Sequence, residues 1–456
     1  MMNPYEYLET HRDTFLEELI ELLRIPSIST LSSHDGDVRR AAEWMASHLK
    51  AIGMTTVEVV KTKRHPIVYA EWLGAPGKPT VLIYGHYDVQ PVDDPEGHWK
   101  TDPFEPVIRD GHLYARGATD DKGQTFIQMK AIQALMQTGE MPVNVKFVIE
   151  GEEESGSDNL YPFIEENVER LAADIVVISD TGMKSLEAPS IVYGLRGITY
   201  VEVEVRGPAH DLHSGSFGGI VHNPAQALVE ILAQLHDEEG RITVPGFYDR
   251  VVVPDAEERA ELSKTPIAED KLRRETGIPQ SWGEAGYALH ERAGIRPTLE
   301  INGLVSGWTG EGTKTVLPAK ALAKVSCRTV PEQDPVEIYE LVRDHVKALT
   351  PPTVTSEVRL LHKGHWAVVD IQSPEMQAAM HDFEFGFGKR PTVVREGGSI
   401  PVVGSFQSAL KAPVVLLGFG LPDDNLHGPN EKFTLACFDG GLKTLVKFYE
   451  TVGAQA

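Results

Sequence analysis

Hydrophobic positions near the start of the chain repeat with a helical period. Leu8, Phe15, Leu19 and Leu22 fall near one face, which predicts a helix from Pro4 to Leu23 that Arg24-Ile25-Pro26 ends. A second amphipathic helix is expected over Val38–Ile52, with Gly53 as its stop. The pattern then changes. Thr56–Val60 and Ile67–Trp72 read as strands. Thr80–Tyr84, Asn144–Ile149, Ile175–Ile178 and Pro413–Leu417 are nearly continuous apolar runs, the mark of strands buried on both faces. A helix over Gln124–Thr138 lies among them. Buried strands interleaved with helices predict an α/β fold with a mostly parallel sheet flanked by helices.

The middle of the chain has a different rhythm. Ile198–Val205 alternates apolar and polar residues, as a half-exposed strand does. Asn223 then caps a helix that has Pro224 in its first position and runs to Leu235. Strands over Pro297–Val305 and Ala319–Val330, a helix over Asp334–Leu349 and a strand over Ser356–His362 follow. The order β-α-β-β-α-β is that of a ferredoxin-like α+β unit. Gly240–Ile295 interrupts it with helical pieces of its own. The expected organisation is therefore an insertion: residues 1–195 and 373–456 form the α/β domain, and residues 196–372 form a second domain between them. A length of 456 residues is also more than one ordinary core accommodates.

Composition narrows the class. No apolar run reaches the roughly 18–20 residues of a membrane helix. The acidic, amphipathic N-terminus lacks the features of a secretory signal, so a cytoplasmic location is expected. Cys327 and Cys437 lie far apart and outside any CxxC pattern, which excludes a disulfide scaffold and a cysteine-type zinc site. A formal net charge of −24 argues against nucleic acid and anionic membranes as partners.

Some of that acidity sits where cations could use it. The Thr80–Tyr84 run leads into His86 and Asp88, whose spacing puts them on one side of an extended chain. Asp88 is placed to take the second N–H of a metal-bound His86. Asp120 and Asp121 precede a helix, Glu150-Gly-Glu152-Glu153-Glu154 follows a buried strand, Asp180 closes another, and His427 lies beyond a fourth. Open α/β sheets place ligands at the carboxyl ends of their strands. Mixed histidine and carboxylate donors suit zinc, and also manganese or cobalt. Charge favours a pair of ions: Asp120, Glu154, Asp180 and one bridging hydroxide neutralise two divalent cations, as a partly buried site requires.

These stretches, together with HWKTDPFEP, RGATDDKG, HDLHSG, GEGTKTVLPAKA, REGGSIP and LHGPNEKF, resemble the carnosinase-like dipeptidases of the dinuclear zinc exopeptidase family. The resemblance spans nearly the whole chain. It implies His86 and Asp180 as ligands of one metal, Glu154 and His427 as ligands of the other, and Asp120 as the bridge, with a cis bond to Asp121. It implies Glu153 as general base and Asp88 as the group that orients His86. The inserted domain resembles the family's lid and homodimerisation domain. Within it, His213 matches a histidine that reaches the partner's site to stabilise the oxyanion, and Arg328 matches an arginine that holds the substrate carboxylate. Ser399 is a further candidate for that contact. The implied reaction is hydrolysis of dipeptides or short peptides; an N-acyl amino acid amidohydrolase is the alternative. Glu152 departs from the pattern as an extra acid, expected to raise the pKa of Glu153. Aspartate at 180, where aminoacylases often have glutamate, favours peptidases.

Overall fold

The computed structural model describes residues 2–455 apart from 93, 95, 140 and 399, with the side chains of 257 and 275 also outside the description. The chain divides into two compact units. One comprises Met1–Tyr193, Val369–Val393 and Val402–Ala456; the other comprises Gly194–Val368 and Val394–Pro401.

The first unit is built on a six-stranded sheet. Its order is Thr56–Val60, Ile67–Trp72, Asn144–Glu150, Thr80–His86, Ile175–Ile178, Val414–Leu416. The last four run parallel, and Ile67–Trp72 runs against its neighbours on both sides. The apolar runs explain why the parallel strands occupy the interior. Leu82, Ile83, Phe147, Val148, Val176 and Val177 are all buried, so both faces of the sheet need cover. Helices Asp35–Ile52, Lys122–Thr138 and Pro374–Phe387 pack on the sheet, and Leu435–Gln455 packs on the latter two. Gly53 ends the first of these at φ +114°, a conformation only glycine adopts without strain. The expected helix over Pro4–Leu23 is two, Pro4–Thr10 and Arg12–Leu23. The break is one residue wide: His11 turns its Nδ1 to the Tyr7 carbonyl at 2.9 Å, while backbone bonds continue across it, which is why the periodicity hides it.

The second unit carries a four-stranded antiparallel sheet in the order Thr298–Ser306, Lys320–Thr329, Gly197–Arg206, Thr355–Gly364. Helices Pro224–Leu232 and Pro335–Leu349 cover one face. Val201, Val203 and Val205 point into that layer against Leu228, Ile231, Ile338 and Val342, as their alternation requires. Asn223 and Asp334 cap the helices through their side-chain oxygens. The first helix ends three residues before the expected Leu235, where Gln234 and Leu235 tighten into bonds to Ile231 and Leu232. Val394–Pro401 groups with this unit, whereas the expected boundary put it with the returning α/β stretch. Arg196 holds the Gly397 carbonyl at 3.2 Å, and Arg395 pairs with Glu258.

Candidate metal centre

Parallel strands bring their carboxyl ends to one edge of the first unit's sheet. His86 ends its strand beside Glu150, in register with it. A short turn at Glu153–Ser155 follows that neighbouring strand, and Asp180 lies two residues past Ile178. Asp120 and His427 come from loops. A small sheet of Val107–Arg109, His112–Tyr114 and Lys432–Thr434 ties those loops together.

Glu431, whose role the sequence did not disclose, builds the Asp120 loop. Its fully buried carboxylate accepts from Arg116 Nη1 and Gly117 N at 2.8 Å and from Thr119 N and Asp120 N at 3.1 Å. The Asp120–Asp121 peptide is cis. The Asp121 carboxylate accepts from His86 N at 3.2 Å and Thr125 Oγ1 at 2.7 Å, so the second aspartate of the pair fastens the loop to the strand end.

Asp120 faces two histidines with different oxygens. His86 Nε2 lies 3.2 Å from Oδ1, and His427 Nε2 lies 2.9 Å from Oδ2. Asp180 Oδ2 is 3.9 Å from His86 Nε2, and Glu154 Oε2 is 3.3 Å from His427 Nε2. Two donor groups result, His86/Asp120/Asp180 and Asp120/Glu154/His427, each with its donor atoms within 4.8 Å of one another. Asp120 belongs to both. Gln90 Nε2 donates to Glu154 Oε2 at 2.7 Å.

Burial makes this concentration of charge costly. Burial and the neighbouring carboxylates push Asp180 up to about 7. Burial also raises Glu153 and Glu154, with further pushes from Asp180 and Glu154 on the former and from Asp120 on the latter. Hydrogen bonds to Asp120 and Glu154 raise His427 to about 10. Burial opposes ionisation of Asp120, but the bonds from His427 and His86 outweigh it and hold that carboxyl low. Among the described residues, Asp120, Glu153, Glu154 and Asp180 form no ion pair with a lysine or arginine. Buried carboxylates with histidines and no cationic side chain fit divalent metal, which would supply the missing positive charge.

Asp88 does more than its spacing suggests. His86 Nδ1 lies 3.1 Å from the Asp88 backbone carbonyl and 3.4 Å from Oδ1. The two carboxylate oxygens accept the backbone N–H groups of Glu153 at 3.2 Å and Glu154 at 3.1 Å. One buried aspartate therefore aligns the histidine and the acidic turn. Glu152 has partners of its own. Its carboxylate accepts from His65 N and Asn159 Nδ2, both at 2.9 Å, and the largest pushes on Glu153 come from burial, Asp180, Glu154 and Asp120.

The remaining candidates lie in the second unit. His213 is exposed and accepts the Gly215 N–H on Nδ1 at 3.0 Å. Arg328 is partly buried opposite Ile198 in the four-stranded sheet. Ser399 lies outside the described residues.

Fold and donor set together define a metal-dependent hydrolase. The chain matches the model of peptidase family M20/M25/M40 over residues 82–451 and belongs to that family; it is a metallopeptidase. It is 35% identical to the Cys-Gly metallodipeptidase dug1 of Schizosaccharomyces pombe, covering 96% of this chain and 95% of that protein. It is 32% identical to the human Beta-Ala-His dipeptidase, covering 98% and 91% respectively. The solved structure of the dipeptidase Dug1p from Saccharomyces cerevisiae matches with a TM-score of 0.87 at 32% identity, covering 99% of this chain and 98% of that one. That of human carnosine dipeptidase 1 matches equally well, with the same score, identity and coverage. No helix among the described residues is long and apolar enough to cross a membrane.

Proposed function

We propose that this chain hydrolyses the amide bond of dipeptides bearing a free C-terminal carboxylate, in the cytoplasm. His86 and Asp180 would hold one divalent ion, Glu154 and His427 a second, and Asp120 would bridge them. Zinc is the first choice, with manganese and cobalt as alternatives. The observation that carries the reading is that Asp120 turns one oxygen to each donor group.

When bound, such a pair supplies Lewis acidity and makes a water acidic enough to lose a proton near neutrality. Glu153 accepts that proton and returns it to the departing amine. Burial raises Glu153, which suits a group that must both take and give a proton. Asp88 fixes Glu153 through its backbone N–H. Arg328 grips the terminal carboxylate through its planar fork, which lysine could not copy, and Ser399 adds a contact. His213 donates to the carbonyl oxygen as negative charge develops there. The second unit serves as lid and homodimerisation domain, so that His213 acts in the partner's site; the likeness of HDLHSG to the family motif supports this.

Metal-stripped enzyme reloaded with one metal at a time, and assayed on dipeptides beside N-acetyl amino acids, tests the reading. Cys-Gly and β-Ala-His, the substrates in the relatives' names, belong in the panel. Metal-dependent turnover greater on dipeptides is expected. Preference for N-acetyl amino acids would make the chain an amidohydrolase instead.

A further inference from the structure

Arg196 stands where three separate stretches of the second unit meet. Its Nε donates to the Gly397 carbonyl at 3.2 Å, and its Nη1 reaches the carbonyls of Arg296 at 3.1 Å and Arg292 at 3.4 Å. Arg292 lies in the last turn of the helix Leu289–Gly294, so one guanidinium both caps a helix end and fastens a turn roughly two hundred residues away in sequence. The fit is close. A Cβ at Gly397 would stand 2.5 Å from Arg196 Nη2 and 2.6 Å from the Ala293 carbonyl, and one at Gly294 would stand 2.7 Å from the Arg395 carbonyl. Glycine at both positions lets the Glu396–Gly398 turn press against the helix end. Arg395 adds its ion pair with Glu258.

The same guanidinium lies beside Arg328. Gly197 and Ile198, the next residues along from Arg196, pair with Thr329 and Arg328 across the sheet. Burial lowers Arg196 to about 10, the positive charge of Arg328 adds to the effect, and the Glu300 carboxylate opposes it. Two neighbouring guanidiniums thus differ in purpose. Arg196 spends its donors on backbone carbonyls, a task that needs a planar fork and leaves no geometry for an ammonium to imitate.

We propose that Arg196 is a positioning residue for recognition of the substrate carboxylate: it clamps the Glu396–Gly398 turn to the helix end beside Arg328 and adds positive potential there. This rests on the carboxylate grip assigned above to Arg328. The clamp joins Val394–Pro401 to the second unit, beside the pairing of the strand Thr392–Glu396 with Ser190–Leu195. The turn and Arg328 fall in the same compact unit.

The test compares a free-acid dipeptide with its C-terminal amide, using the full-length enzyme loaded with zinc. Arg196→Lys keeps the charge and loses the fork. It is expected to raise KM for the acid about ten-fold, the size of one lost charge-assisted hydrogen bond, with kcat within about two-fold. KM for the amide and zinc content should not change. Gly397→Ala, which pushes the turn off an intact Arg196, should reproduce this selective loss, and the double variant should be no worse than the worse single one. Gly397→Ala also serves if Arg196→Lys does not fold. Equal losses on acid and amide, or additive effects of the two changes, would overturn the clamp. Arg328→Ala is the control for the parent reading. If it fails to discriminate acid from amide, the carboxylate grip itself is wrong; if it discriminates and neither Arg196→Lys nor Gly397→Ala does, only the clamp is.

Discussion

An ion pair in the second unit and an acid cluster in the first treat buried charge in opposite ways. In the second, Glu284 and Arg296 are nearly enclosed, and their bidentate contact at 2.7 Å twice over leaves each with its complement. In the first, Asp120, Glu153, Glu154 and Asp180 crowd together beside two histidines, and among the described residues none of them pairs with a lysine or arginine. A buried acid with an arginine explains itself by structure. A buried cluster without one is relieved by protonation or by a cation from solution. The contrast marks the acid cluster as the candidate metal centre.

The largest effect that would sharpen this contrast is at Glu153. Glu153→Ala is expected to lower kcat by about 10²–10⁴-fold while elemental analysis finds the metal retained. Normal turnover would remove Glu153 as the base and leave the acidic turn without a chemical task. Next comes the other side of the comparison. Arg296→Met strands Glu284 in the interior and should cost about 3 kcal/mol of stability in thermal or denaturant unfolding, with metal content intact. If the variant melts like the parent, the ion pair is not what offsets the burial of Glu284. A smaller loss is expected from Asp88→Asn, about 10–100-fold in metal affinity by chelator competition, because it weakens the alignment of both His86 and the Glu153–Glu154 turn. Unchanged affinity would show that the histidine and the turn hold their places without it. The smallest is a stability shift: zinc at about ten times its Kd should raise the stability of the stripped enzyme by about 1.4 kcal/mol, if unfolded chain does not bind it. No shift would mean that the acid cluster is relieved by other means.

Four strands of the first unit's sheet were legible because both of their faces are buried, so Thr80–Tyr84 and Ile175–Ile178 carry their own apolar signature. His86, Glu154 and Asp180 were legible because they closely follow such strands, whereas Asp120 and His427 lie in loops and were read from their motifs. What sequence could not show was how loops are held. Glu431 was visible as a residue but not as the acceptor of three backbone N–H groups, since no periodicity encodes that. The same applies to Asp88, whose bonds run to main-chain atoms of a turn more than sixty residues away. The break at His11 stayed hidden because it leaves the helical face in phase. The clamp at Arg196 was invisible because its acceptors are carbonyls, which every residue has.

His427 alone among the metal-binding candidates is more than half exposed, at 56% of its side chain, and it adopts φ +61° on a loop that also holds Asn425 and Asn430 in the left-handed region. His86, across Asp120, has no exposure at all. Solvent therefore reaches the two donor groups on unequal terms. A chelator would strip the outer one in a fast phase and the enclosed one in a slow phase, and reloading would fill them at correspondingly different speeds.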